Sequence, residues 1–258
     1  MQEFLSLANR MADKAGKIIQ KYYRQPFDVE HKADHSPVTI ADREVEQALR
    51  DILAKERPQD GILGEEFGHE VSQNGLTWVI DPIDGTKSFM IGRPTFGTLI
   101  ALCEADIPKL GIIDQPILKE RWVGITGEKT TLNGKPVRTR PCTDFHDARI
   151  GSTTPMMFDK LSEFGRAYEL FEVPPRMAWG GDCYMYGLIA SGFMDIAFEQ
   201  NLSPYDFAAL VPVIKGAGGH ISDWRGDELT LNSTGKVIAV GDPNLWPEIE
   251  RMIRKSPF

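Results

Sequence analysis

The stretch LTWVIDPIDGTKSF, residues 76–89, constrains the chain more than any other. Its first five residues form a short apolar run, the mark of a buried strand. The run closes in Asp81-Pro82-Ile83-Asp84, followed at once by Gly85-Thr86. Asp-Pro and Asp-Gly are turn dipeptides whose carboxylates ordinarily bond to nearby amides, and for either dipeptide alone that reading suffices. An apolar strand that ends in a turn and then opens a helix is a unit of α/β folds, which place ligands beyond their strand ends. Free amides at a helix start bind phosphate. Carboxylates gathered beside such amides need cations between them, so the functional reading of this turn requires a metal such as Mg²⁺.

The remaining periodicities fit a mixed α/β protein. Phe4, Leu7, Met11, Ala15, Ile18 and Tyr22 recur at steps of three and four, which predicts an amphipathic first helix. A polar stretch containing HKADHSPVTIAD precedes a second helix from Asp42, with Val45, Leu49 and Ile52 on one face. Residues 95–103, 110–114 and 121–126 read as strands, and LNGKP at 132–136 as a turn between short ones. From about Ala148 helices and strands alternate: strand 149–152, helix 155–168, helix 182–191, strand 194–199 and helix 203–215 closed by GAGG. A strand at Val237–Val240 and a helix from Pro243 follow. The expected organisation is two interlocked halves of one structural unit, 1–145 and 146–258.

Composition excludes several functions. A net charge of −8 argues against a phosphate-backbone surface for nucleic acid, though not against a small phosphorylated substrate held through a metal. No stretch is long and apolar enough to span a bilayer. Cys103, Cys142 and Cys183 form no CxxC pair, which speaks against a zinc ribbon or disulfide framework and for a reducing cytoplasm. A Walker-type GxxxxGK[ST] is missing, so nucleoside-triphosphate hydrolysis is not expected. His31 and His35 precede Ser36-Pro37, which disfavours a helical HxxxH metal pair.

Three further acids share the ambiguity of Asp81 and Asp84. Glu65 ends a second short apolar stretch, DGILGEEFG, and can be a solvated loop acid or a metal ligand. Asp206 follows Ser203-Pro204, and Asp42 follows Thr39; both patterns are helix-opening capping boxes that also project a carboxylate from a helix start. Two carboxylates about 5 Å apart repel by roughly 3 kcal/mol at an effective dielectric of ~20. If these acids converge, a cation is needed to hold them.

Taken in order, SPVTIAD, GEE, WVIDPIDGTKSF and PYDFAALVPVIKGAGG resemble the inositol monophosphatase superfamily, Mg²⁺-dependent and lithium-sensitive phosphatases, over nearly the whole chain. The resemblance implies a layered α/β/α/β/α sandwich and a homodimer. It implies a first Mg²⁺ on Glu65, Asp81 and the Ile83 carbonyl, and a second on Asp81, Asp84 and Asp206. A third, weaker ion would use Glu65 and waters. Gly85 and Thr86 amides would touch phosphate, while Thr86, bonded to Asp42, would help Glu65 activate the attacking water. Within the family, GDCY at 181–184 with PYDFAALVPV looks like the histidinol-phosphate phosphatase branch. Asp182 and Glu199 would then face the leaving group, whose ammonium and imidazole suit acids. For Asp182 the competing reading is a helix N-cap after Gly-Gly, and for Glu199 a strand-end surface acid. The alternatives are inositol-1-phosphate hydrolysis, then another small phosphomonoester or bisphosphate. Outside catalysis, a regulatory binding protein would use the same fold.

Overall fold

In the computed structural model, which describes residues 1–26, 29–31, 37–158 and 177–255, the two predicted periodicities sort the side chains into three cores. Helices α1 (Gln2–Tyr22) and α2 (Ile40–Glu56) flank the hairpin β1 (Val29–His31) and β2 (Pro37–Thr39). The next strands are β3 (Gly61–Gly64), β4 (Gly68–Glu70) and β5 (Leu76–Asp84), with the single-turn helix α3 (Thr86–Met90) directly after. Strands β6 (Gly97–Glu104), β7 (Ile107–Gln115), β8 (Glu120–Ile125), β9 (Thr131–Leu132) and β10 (Lys135–Pro136) complete an eight-stranded sheet of order β10-β9-β8-β7-β6-β5-β3-β4. Only β3 and β5 pair in parallel there, so both carry the chain to the same edge.

The second sheet has five strands: β11 (Ile150–Ser152), β12 (Met177–Trp179), β13 (Ile196–Glu199), β14 (His220–Ser222) and β15 (Val237–Val240), in the order β12-β11-β13-β15-β14. Helices α4 (Tyr184–Ala190), α5 (Pro204–Phe207), α6 (Leu210–Gly216) and α7 (Trp246–Lys255) are interspersed with them.

Alternation along the strands builds the layers. On β5 and β6, Trp78, Ile80, Ile100 and Leu102 face α1 and α2, meeting Met11, Ile18, Val45 and Leu49. Their neighbours Val79, Leu99, Ala101 and Cys103 face the other way, onto Met185 and Ile189 of α4 and Val213 and Ile214 of α6. Ala197, Val237 and Ala239 of the smaller sheet close that middle core. On the far face Ile196, Phe198, Ile238 and Val240 pack against Leu245, Ile249 and Ile253. The result is the five-layer α/β/α/β/α sandwich expected from the motifs. Each large side chain sealed in this way contributes about 1.5–3 kcal/mol.

Local chemistry shifts several predicted boundaries. The helix expected over 203–215 is two helices, α5 and α6, with a break at Ala208-Ala209. Pro212 has no N–H to give the Ala208 carbonyl, so the ladder cannot run through. The neighbouring Ala209 carbonyl lies close against β7, where a Cβ on Gly111 would come within 2.0 Å of it. The helix expected over 182–191 begins at Tyr184. At 155–168 the described part is a 3₁₀ turn, Pro155–Met157, and residues 159–168 lie outside the described residues, as does His35. Strands β1, β2, β4, β12 and β14, three residues each, are too short to show in the pattern. Among the described residues no helix is long and apolar enough to cross a membrane.

Candidate active site

The site begins with a parity problem on β5. In a regular strand residues three apart point to opposite faces, so Asp81 and Asp84 should diverge. The pairing with β6 changes this: Asp81 stands opposite Leu99 and Asp84 opposite Gly97, so β5 holds one residue more than its partner. That one-residue bulge restores parity and turns both carboxylates to one side. Thr98 Oγ1 pins the bulge by donating to the Pro82 carbonyl at 2.9 Å. Asp206 arrives from the start of α5, where its Oδ2 accepts from the Ser203 amide at 2.6 Å. Ligand oxygens of Asp81, Asp84 and Asp206 lie within 4.8 Å of one another.

Glu65 joins from the end of β3, with its amide donating to the Ile80 carbonyl at 3.2 Å. Asp81 lies in the electrostatic reach of Glu65, Asp84 and Asp206 alike, which makes it the centre of the group. The cost of this crowding is visible in the acidities. Burial, and then the neighbouring acids, push Asp81 and Asp84 well above the usual carboxylate range. Burial raises Asp206 to about 7, with Glu65 adding to it, against an opposing bond from the Ser203 amide. Burial likewise lifts Asp42 to about 6.

These residues fit a hard divalent cation. The donors are all carboxylate oxygens, the chemistry Mg²⁺ selects. Asp81 Oδ1 and Asp42 Oδ1 are buried with no hydrogen-bond partner, an arrangement that costs about 1–3 kcal/mol per group unless something else satisfies it. Among the described residues lining the cavity, the exposed Lys87 is the one lysine or arginine beside these acids.

The cavity holds about 300 Å³ and is lined by Glu65, Asp84, Gly85, Thr86, Asp182, Glu199 and Asp206, among others. A larger groove of about 650 Å³ under α1 gathers no comparable set, since its buried acid Asp114 is already paired with Arg121 at 2.6 Å. Gly85 opens α3 in the left-handed region, φ 83°. A Cβ there would approach Asp182 Cγ to 2.8 Å, so only glycine lets the start of α3 meet Asp182 at this point. Next door the Cys183 amide donates to Asp84 Oδ2 at 2.6 Å.

One sequence expectation and two of the competing readings differ from the structure. Thr86 Oγ1 donates to the Ile83 carbonyl at 3.2 Å and not to Asp42, because the turn places that carbonyl three residues back within reach. Asp42 Oδ2 is engaged by the Thr39 amide at 2.8 Å and by the Thr39 hydroxyl, as its capping box requires. Asp182 does not cap α4. It sits at φ 43°, and its Oδ2 accepts from Ser88 Oγ at 2.6 Å and Thr95 Oγ1 at 2.7 Å. Glu199 is no surface acid: it is 3 % exposed, accepting from the Thr153 amide at 3.0 Å and Tyr186 hydroxyl at 2.8 Å. Burial raises it to about 7. Ser88, Thr95, Thr153 and Tyr186 gave no sequence signal. Their partners Asp182 and Glu199 were the only pointers to them.

A layered sandwich that gathers acids at a strand-end bulge, beside a turn suited to phosphate, defines a metal-dependent phosphomonoesterase. The chain belongs to the inositol monophosphatase family, whose sequence model matches residues 1–256. It is 46% identical over 243 residues to the bifunctional phosphatase IMPL2, chloroplastic, of Arabidopsis thaliana, covering 93% of this chain and 69% of that protein. A histidinol-phosphatase of Chlorobaculum parvum is 36% identical over 91% of each chain. An inositol monophosphatase structure from Zymomonas mobilis superposes with a TM-score of 0.89 at 46% identity, covering 98% of both chains.

Proposed function

We propose that this phosphatase hydrolyses histidinol phosphate to histidinol and phosphate with Mg²⁺, two to three ions per site. The observation that carries the substrate is the placement of Asp182 and Glu199 on the cavity wall with Glu65, Asp84 and Asp206. Each carboxylate offers about four lone-pair sites. Ser88 and Thr95 take two on Asp182, and Thr153 and Tyr186 two on Glu199, so both retain capacity for a donor on the substrate. A leaving group bearing an ammonium and an imidazole gains charge attraction there, whereas a neutral polyol gains hydrogen bonds alone. The histidinol-phosphatase relative supports the same branch. The Zymomonas mobilis likeness supports inositol 1-phosphate as the second reading.

In this reading Glu65, Asp81 and the Ile83 carbonyl hold one Mg²⁺, Asp81, Asp84 and Asp206 another, and Glu65 with water a third. Bound there, Mg²⁺ supplies Lewis-acid stabilisation of phosphate oxygens and lowers the pKa of water. Gly85 and Thr86 amides orient the phosphate. Glu65 takes the proton of the attacking water. The Thr86 hydroxyl, its hydrogen donated to the Ile83 carbonyl, keeps a lone pair to align that water. Three buried free thiols support a reducing, cytoplasmic setting, and a homodimer follows the family resemblance, to be checked by light scattering.

The deciding experiment compares D182N and E199Q on histidinol phosphate, inositol 1-phosphate and a neutral aryl phosphate. Loss of one partner of a desolvated charge pair costs about 2–5 kcal/mol, roughly 30-fold or more in kcat/KM. That loss is expected on histidinol phosphate and not on the aryl ester. Equal losses on both would assign these acids to structure, and a wild-type preference for inositol 1-phosphate would overturn the branch.

A further inference from the structure

Glu65 stands on a turn that packing does not fix. The strand beyond it, Gly68–Glu70, is exposed at every position, and Phe67 is 47% exposed. Besides the Glu65 amide bond to the Ile80 carbonyl and the Gly64–Gly68 pairing, what fastens the turn comes from α2. Glu46, with no solvent exposure, directs its carboxylate at the two amides that follow Glu65: Oε2 accepts from Glu66 at 2.7 Å and Oε1 from Phe67 at 3.1 Å. Oε1 also accepts from Arg50 Nε at 2.9 Å, and Arg50 continues to the Gly68 carbonyl and to Glu70 Oε1. Gly64 leaves room for this: a Cβ there would fall 2.0 Å from Glu46 Oε1.

A buried ion pair is a poor way to stabilise a helix, since well-packed apolar residues of similar volume often do as well or better. What an apolar pair cannot do is bind two successive amides and so fix the backbone of the residue before them. We infer that Glu46 is the positioning residue for Glu65, holding its carboxylate toward Asp81, with Arg50 locking Glu46 and Gly64 making the space. This rests on Glu65 being a metal ligand. Partners behind a metal ligand typically contribute 10- to 100-fold in metal affinity or activity.

The test measures Mg²⁺ binding by calorimetry, metal-free melting temperature and turnover on the full chain, for E46Q, G64A, E65Q and the surface control E44Q. Glu44 lies outside the site, bonded to Lys21 and Tyr22. E46Q and G64A are expected to weaken Mg²⁺ binding and lower kcat each by about 10- to 100-fold, with E65Q at least as damaging and E44Q unchanged. A lowered metal-free melting temperature with wild-type Mg²⁺ binding and kcat in E46Q and G64A would make Glu46 merely structural and overturn the inference. If E65Q itself keeps wild-type binding and turnover, the metal-ligand reading falls, and this inference with it. Should E46Q not fold, R50K, which leaves the carboxylate in place and removes its guanidinium lock, carries the same test with the same outcomes.

Discussion

At the scale of single residues, the proposed function divides the candidate site into groups that would hold a cation and groups that would help move a proton. Asp84 belongs to the first. It lies with Asp81 and Asp206 within 4.8 Å and is already fastened by the Cys183 amide. D84N keeps the shape and removes the charge, so the fold should survive while turnover falls by more than ~10²-fold, beyond what loss of a supporting partner costs. Near-native turnover at saturating Mg²⁺, with an unchanged near-ultraviolet dichroism spectrum, would remove Asp84 from the ligand set. Thr86 belongs to the second group. T86A should lower kcat by about 10²-fold, the scale of a positioned proton-transfer group, and leave Mg²⁺ binding nearly intact. A change confined to KM would make it a phosphate contact only. Asp81 and Asp84 were legible because turn dipeptides closing an apolar strand put charge at the strand end. Glu65, Asp206 and Asp42 took their roles from the ordered motifs of the family resemblance. Glu46 and Arg50 were not legible, since on an amphipathic helix they read as ordinary polar positions; only the missing Cβ of Gly64 betrays them.

At the scale of elements, the sequence shows where strands and helices run but not how closely they approach. The extra residue on β5 that aligns Asp81 with Asp84 depends on pairing with β6, a contact no local pattern contains. The break between α5 and α6 was readable in principle from Pro212, yet the apolar spacing continues across it. The close approach of α6 to the large sheet is set by glycines on β7 and β8. A Cβ on Gly124 would lie 2.3 Å from the Val213 amide nitrogen and 2.4 Å from the Pro212 carbonyl, both backbone atoms that cannot rotate away. G124A is therefore expected to destabilise by about 1–3 kcal/mol, the range for overpacking a filled core. Urea denaturation would show it, and kcat in the folded fraction should stay near wild type because β8 carries no site residue. A melting temperature equal to wild type would mean that α6 can shift outward freely. The middle core would then be looser than its packing implies.

At the scale of the whole molecule, the raised acidities become a dependence of stability on pH. Burial lifts Asp42 to about 6 and Asp206 and Glu199 to about 7 in the folded chain, while Asp81 and Asp84 are also raised well above the usual carboxylate range, by burial and then by neighbouring acids. In the unfolded chain the same groups titrate near ~4. Between about pH 4 and about pH 7 the folded protein thus holds protons that the unfolded protein releases, and stability falls as pH rises through that window. With divalent cations chelated, the melting temperature should drop between about pH 5 and about pH 7.5 by an amount reflecting several kcal/mol. Cations compete with those protons, so Mg²⁺ should bind better at the higher pH and raise the melting temperature more there than at the lower one. Removing one raised acid should flatten the chelated profile: D206N is expected to do so and also to shrink the Mg²⁺ effect. E199Q should flatten the profile but leave the Mg²⁺ effect intact, because Glu199 is bonded to Thr153 and Tyr186 and lies outside the Asp81-Asp84-Asp206 group. Thermal melts of the three proteins, chelated and with Mg²⁺ at both pH values, distinguish these roles. An Mg²⁺-induced shift of equal size at both would show that the buried acids are ionised throughout, so that cations displace no protons when they bind.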